Sequence, residues 1–437
     1  MASETTFASS AGSLAESQTL PARPRPHLSP WYFVICFGLV SLFADMVYEG
    51  ARSIIGPYLA TLGASAAVVG TVAGVGEFIG YGLRVASGYL VQRRGRYWAW
   101  TITGYALTVL SVPLIAATSL IAPALMLYGT ERLGKAVRSP AKDTLLSHAS
   151  TQTGRGIAFG VHQALDQAGA VAGPLLLAAV LWQSAGSYRL AFGVLIIPGV
   201  IVLALLFWLR HRVPEPAAYE VEASAAPEAD GPEPHAVASP AARETSAARR
   251  HGSTLTAPAG LSPLVWQYIG TVGLLSVGIA SFPLLAFHAQ TQSLLTPSQV
   301  PLLFALAMMV DGLSGLLMGR FYDRRGPGVL RLVPLAAGLS AIAFTDNATL
   351  IWVGVAIWGV VNGVLDSTVK AVVTDLVEPA GRSIAFGWLA LARGSGLLLA
   401  GVVFGLAYDQ AIMLVVWLIV VVNAAALTTL TWVLDRF

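Results

Sequence analysis

Long apolar runs, each followed by a short polar stretch, dominate the chain from Trp31 onward. A helix needs about 20 mainly apolar residues to cross hydrocarbon, because every backbone N–H and C=O must be bonded inside the segment. The runs meet that length twelve times, predicting spanning helices at 30–60, 66–91, 97–117, 120–147, 155–182 and 188–211, then 263–289, 298–322, 328–345, 349–376, 382–408 and 410–434. Charges interrupt the first, fourth and tenth of these, which lowers their window hydropathy without shortening them.

Two stretches have no apolar period. Residues 1–28 are rich in Ser, Ala and Pro, with Arg23 and Arg25 just before the first apolar run, and are expected to be a disordered tail. Residues 212–262 are dominated by Ala, Pro, Glu, Ser and Arg and are expected to be a flexible linker. They divide the chain into a six-helix bundle at 29–211 and a second at 263–437. The first run passes through Asp45, Tyr48 and Glu49 into further apolar sequence, unlike the short core of a cleaved signal peptide.

Arginine sets the expected orientation. Arg93, Arg94 and Arg96 follow the second helix, Arg155 the fourth, Arg210 and Arg212 the sixth, Arg320, Arg324 and Arg325 close the eighth, and Arg382 follows the tenth. The opposite connections contain only Arg189. The positive-inside rule then places both termini in the cytoplasm, for a multi-pass protein of the cell (inner) membrane.

The sequence repeats itself. Gly88-Tyr-Leu-Val-Gln-Arg-Arg-Gly95 matches Gly319-Arg-Phe-Tyr-Asp-Arg-Arg-Gly326, each at the same end of a second helix. Gly154-Arg-Gly-Ile-Ala-Phe-Gly160 matches Gly381-Arg-Ser-Ile-Ala-Phe-Gly387 at nearly the same offset. Two signatures repeated in order indicate a duplicated six-helix unit.

Two six-helix halves, a long central loop and a G-x-x-x-D-R-x-G element after the second helix resemble the major facilitator superfamily. The resemblance covers nearly everything but the tail and linker. It implies an all-α membrane protein of twelve helices in two pseudo-symmetric bundles, acting as a secondary transporter and not an enzyme, and functional as a monomer. The element would be a conformational latch formed by Gly88, Gln92, Arg93 and Gly95 and by Gly319, Asp323, Arg324 and Gly326. Gln92 stands where the family has aspartate, so the first copy lacks the charge that Asp323 keeps. Gly169-Ala-Val-Ala-Gly173-Pro174 on the fifth helix resembles the G-x-x-x-G-P element of drug/proton antiporters. Small residues four apart let two helices approach closely, and Pro174 permits a bend.

Composition adds exclusions. Of 437 residues, 55% are hydrophobic and 11% charged, against roughly 25% charged in a soluble domain. The net charge of +3 and the scattered arginines give no basic stripe for nucleic acid. Cys36, the single cysteine, rules out disulfides, zinc knuckles and thiol redox pairs within one chain. No cofactor or metal is expected. Gly129-Thr-Glu-Arg-Leu-Gly134-Lys135-Ala136 imitates a phosphate loop but has Ala where Ser or Thr must reach magnesium. No nucleotide-binding domain is present to drive transport with ATP.

Charge inside the apolar runs marks the candidate site, since an intramembrane charge costs a few kcal/mol on insertion scales. Asp45, Glu49 and Arg52 share one face of the first helix, and Glu77 and Arg84 share one of the second. The fourth carries Glu131, Arg132, Lys135 and Arg138. His162 and Asp166, at i and i+4 on the fifth, are placed to touch. The second half is drier, with Asp311, Asp366, Lys370 and Arg393. Aligning Ser139 with Ser367 sets Asp366 opposite Arg138, and the fifth-helix signature sets Arg393 opposite Asp166, so these could pair across a central cavity.

These positions make Asp45, Glu49, Asp166, His162 and Glu77 candidates for proton coupling. Arg52, Arg84, Glu131, Arg132, Arg138, Asp311, Asp366, Lys370 and Arg393 are candidates for substrate contact or charge pairing. The expected partners are a small-molecule substrate, protons and the lipid bilayer. The favoured function is proton-coupled export by alternating access. Proton-driven uptake of a nutrient or metal chelate would use the same residues, a non-transporting receptor or scaffold would carry no flux, and simple interhelical ion pairing would also account for the charges.

Overall fold

A computed structural model describes residues 28–220, 261–378 and 381–436, and within these the regular structure is helical. The first half contains α1 (Pro30–Thr61), α2 (Ala66–Arg94), α3 (Tyr97–Ala117), α4 (Ile121–Thr153), α5 (Arg155–Gln183) and α6 (Tyr188–Arg212). The second contains α7 (Pro263–Thr291), α8 (Gln299–Arg325), α9 (Pro327–Phe344), α10 (Ala348–Leu376), α11 (Arg382–Gln410) and α12 (Ile412–Leu434).

Eleven of these helices are long and apolar enough to cross a membrane. The twelfth, α4, is not among them, since Glu131, Arg132, Lys135, Arg138, Lys142 and Asp143 lie along it. The arrangement is the multi-pass fold expected, with two six-helix halves.

Proline and glycine set the helix breaks. The sequence predicts one continuous helix over 263–289, but α7 stops at Val277 and resumes at Phe282. Pro283 has no N–H to donate and its ring crowds the preceding turn, so the ladder opens before it. The freed carbonyls find partners elsewhere: Asn423 Nδ2 donates to Gly278 O at 2.8 Å and Trp358 Nε1 to Ala280 O at 2.8 Å. Asn347, a glycosylation sequon by pattern, caps α10, its Oδ1 accepting from Thr349 N at 2.9 Å.

The tail at 1–28 lies almost wholly outside the described residues, as does 221–260 of the linker. The start of the linker is not free chain. Val213 and Tyr219 are fully buried, Trp98 Nε1 donates to Val213 O at 3.1 Å, and Tyr219 Oη donates to Leu28 O at 2.8 Å. The aromatic ring of Tyr219 packs on Phe33, which supplies the apolar contact that a composition-based reading misses.

The halves meet along α2 with α11, α5 with α8 and α1 with α7. At the arginine-poor end glycines let backbones touch: Gly70 meets Gly401, Gly74 meets Leu398, and Gly56 meets Pro283. Toward the arginine-rich end α5 and α8 part. Gln167 Nε2 donates to Met308 O at 2.5 Å, yet Gln163, Gly160 and Gly156 further along that face of α5 are exposed, as is Leu316 on the matching face of α8. Helices α2 and α11 stay close as far as Val85 and Gly387. The structure is therefore closed at one end and opens at α5 and α8 toward the other.

Candidate functional site: a buried charge network

Three groups of polar side chains lie in the interior. The first joins α1, α2 and α4 in a chain of alternating sign. Glu131 Oε2 lies 2.7 Å from Arg132 Nε, and Arg132 Nη1 lies 3.7 Å from Glu77 Oε1. Glu77 Oε1 takes Arg52 Nη2 at 2.9 Å, while Glu49 stands 3.6 Å from both Arg52 Nη1 and Lys135 Nζ. Three acids and three bases thus neutralise one another, which is how a low-dielectric interior tolerates them. Gly76 makes room by lying against the Arg132 side chain.

The second group links α1, α4 and α5. Asp166 Oδ1 accepts from Ser41 Oγ at 2.5 Å, and Lys142 Nζ lies 3.1 Å from His162 Nε2. The contact expected between His162 and Asp166 is replaced by these two, because each side chain has a nearer partner on another helix. Among the described residues Arg138 forms no ion pair; its guanidinium lies over the rings of Tyr105 at 4.2 Å and Tyr48 at 5.2 Å. Asp45 is 3% exposed and, among the described residues, makes no ion pair and has no hydrogen-bond partner on Oδ1, while the Tyr48 side chain is a hydrogen-bonding neighbour of its carboxylate. Its charged neighbours are Asp166, Glu49 and Lys135.

The third group belongs to the second half. Arg393 Nη1 donates to Asp366 Oδ1 at 2.6 Å, and the same guanidinium lies 5.2 Å from the Tyr81 ring of α2. Asp366 and Arg393 therefore pair with each other and not with Arg138 and Asp166 of the first half. They stand on the neighbouring helices α10 and α11, so the shorter path wins. The Asp366 side chain is 58% exposed, and Lys370 one turn along α10 is exposed too, so this group faces the opening between the halves. Among the described residues Asp311 Oδ1 has no hydrogen-bond partner, and Arg84 lies over Tyr81 at 5.7 Å.

Among the described residues the repeated arginine-rich elements make no hydrogen bond or ion pair across the halves. Gly95 (φ 61°) and Gly326 (φ 68°) close α2 and α8 in left-handed conformations that glycine adopts freely. Gln92 and Asp323 are exposed, Arg93 stacks on Tyr89 at 4.5 Å, and Arg324 is exposed. Asp323 has no hydrogen-bond or ion-pair partner among the described residues; the acid bound beside it is Asp375, which accepts from Tyr322 Oη at 2.6 Å. Gly88 makes ordinary contact with Pro140, and Gly319 faces open space.

In α5, Gly169 abuts the Leu42 carbonyl and Gly173 the Met46 backbone, so α1 and α5 cross without room for a Cβ, and Pro174 follows inside the helix. Ser41, Lys142, Gln167, Asn423 and Asp409 are the polar residues that the sequence pattern did not single out as candidates. A polar residue on an otherwise apolar helix face was their signal, and for Asn423 it was the only one.

Interior charge on two matched six-helix halves that part at one end describes a secondary transporter. The Major Facilitator Superfamily model matches residues 37–401, and the chain belongs to that family. Uncharacterised proteins of Mycobacterium tuberculosis and Mycobacterium bovis are 43% identical over 404 residues, 92% of this chain and 93% of theirs. An uncharacterised transporter of the same type from Methanocaldococcus jannaschii is 25% identical over 185 residues, covering 42% of this chain and 46% of its own. Among solved structures, a mutant of the nucleoside transporter NupG superposes with TM-score 0.70 at 12% identity over 91% of this chain and 99% of its own. A peptide transporter in complex with sulfate gives 0.66 at 14% identity over 92% and 94%. A bacterial homologue of the lysosomal transporter Spinster, in an inward-facing conformation, gives 0.63 at 16% identity over 93% and 97%.

Proposed function

We propose that this Major Facilitator Superfamily transporter exports a small solute in exchange for protons by alternating access, with the arginine-rich end and both termini in the cytoplasm and one chain as the working unit. The observation that carries the reading is Asp45: a buried acid in no ion pair, with a free oxygen, beside Asp166 and Glu49. A proton can be added there without first breaking a bond. Once neutral, Asp45 no longer opposes the neighbouring carboxylates, and the balance of the Glu49, Lys135, Arg52 and Glu77 chain changes with it. A ligand or proton shifts a two-state equilibrium only by its difference in affinity for the two states, and this network supplies such a difference.

In this scheme Asp45, Asp166, Glu49, Glu77 and His162 handle the proton. Arg52, Arg84, Glu131, Arg132 and Arg138 hold the amino-terminal charges in register, while Asp311, Asp366, Lys370 and Arg393 meet the solute at the opening. The exposed Asp366 and Lys370 present both signs, which suits a zwitterionic or mixed-charge solute. Export is favoured by the close α1–α5 crossing at Gly169, Gly173 and Pro174, the element shared in pattern with drug/proton antiporters.

The test uses purified protein in liposomes with an imposed pH gradient and a trapped pH-sensitive dye, screened against solutes that raise its melting temperature. Opposite movement of proton and solute supports the reading. Movement in the same direction replaces export with uptake, and solute flux indifferent to the gradient removes the proton.

A further inference from the structure

At the arginine-poor end one carboxylate of the second half holds the start of a helix of the first. The last turn of α11 brings Asp409 over the amino terminus of α2, where Oδ1 accepts from Ala66 N at 2.9 Å and Oδ2 from Ala67 N at 3.0 Å. The first four N–H groups of a helix have no partner within it, and they carry the positive end of its dipole. Ser65 Oγ accepts from Val68 N at 3.4 Å, so the two N–H groups nearest the helix start are left to the opposite half. A fork of two bonds from a charged group is among the stronger hydrogen-bond arrangements.

The surroundings make the fork dependent on closure. Directly below it Gly405 lies against Ala66, Gly401 against Gly70, and Leu398 against Gly74, all backbone to backbone. Any rotation that opens this end must separate α2 from α11 and hand Ala66 and Ala67 to water. Nearby, Tyr188 Oη donates to Gln290 Oε1 at 3.2 Å, the one other side-chain hydrogen bond between the halves at this end among the described residues.

We infer that Asp409 is a latch that sets the conformational equilibrium of transport, holding the arginine-poor end shut through the amino terminus of α2. It lies at the opposite end of the molecule from the exposed Asp323 element. The inference rests on the alternating-access reading but not on proton coupling or on the direction of transport.

The test measures conformation without solute or gradient, so it fails independently of the function proposed. With Cys36→Ser as background, spin labels at Thr61→Cys and Met413→Cys, both exposed at this end, report the separation of the halves. Asp409→Ala is expected to raise the ratio of separated to closed molecules about five- to tenfold, in line with losing roughly one charged hydrogen-bonded contact. Asp409→Asn, which keeps one acceptor oxygen, is expected to do so by less and guards against misfolding of the alanine variant. Gly401→Leu, which fills the crossing, should separate the same labels. Distance distributions for both Asp409 variants that superimpose on the parent overturn the proposal, whatever Gly401→Leu does.

Discussion

Asp45 and Asp311 differ from the other interior acids: among the described residues neither stands in an ion pair, and each leaves Oδ1 without a hydrogen-bond partner. Glu49, Glu77 and Glu131 each face an arginine or lysine, Asp166 takes the Ser41 hydroxyl, and Asp366 takes Arg393, whereas Asp45 Oδ1 takes nothing. Removing a partnered charge exposes its mate, but replacing Asp45 by asparagine leaves every ion pair intact. Asp45→Asn is therefore expected to retain the folded state, with its melting temperature within a few degrees of the parent. Gradient-driven accumulation should fall at least tenfold while solute exchange without a gradient persists, a split that liposome flux measures directly. Asn423 is the opposite case, a residue whose role is to bond. It is 2% exposed and its Nδ2 serves the carbonyls of Gly278 and Ile419, both at 2.8 Å. Asn423→Leu strands the Gly278 carbonyl and should cost about 1–3 kcal/mol, read as a lower melting temperature in detergent.

Among the elements, α5 shows how much one helix carries. One face lays Gly169 and Gly173 on α1 and, further along, presents His162 and Asp166 to the charge groups, while Gln167 reaches α8 in the other half. A side chain at Gly173 would meet the Met46 backbone, and backbone cannot rotate aside. Gly173→Leu should accordingly destabilise by about 1–3 kcal/mol or more and lower the yield of folded protein, visible as a shifted melting curve. The helices themselves were legible because length and hydropathy are properties of a single segment. The break in α7 was half legible: Pro283 is visible in the sequence, but its tolerance depends on Asn423 and Trp358, which are remote in the chain. The packing of Tyr219 was not legible, since its partners Phe33 and Leu28 lie at the far end of the same half.

For the whole molecule, the duplicated signatures at Gly88–Gly95 and Gly319–Gly326 already carried the two-half architecture, and the family match agrees with it. The charged positions were legible as well, because an ionisable residue in an apolar run stands out. Their pairings were not. Matching Asp366 to Arg138 and Arg393 to Asp166 assumed that repeat-related residues face each other, whereas Asp366 and Arg393 close on one another within α10 and α11. Sequence spacing fixes which residues share a helix face, but the rotation of each helix against its neighbours decides which faces meet. The same holds for Asp409, whose partner is backbone and leaves no mark in the sequence.

In the proposed antiport the buried acid cluster around Asp45 takes up and releases a proton. Infrared difference spectroscopy of the purified protein between acidic and alkaline pH measures this without knowledge of the solute, through the C=O stretch of a protonated carboxyl group. A band that appears on acidification in the parent and disappears in Asp45→Asn is the predicted result. Spectra in which Asp45→Asn and the parent are the same across the pH range that drives flux would contradict it.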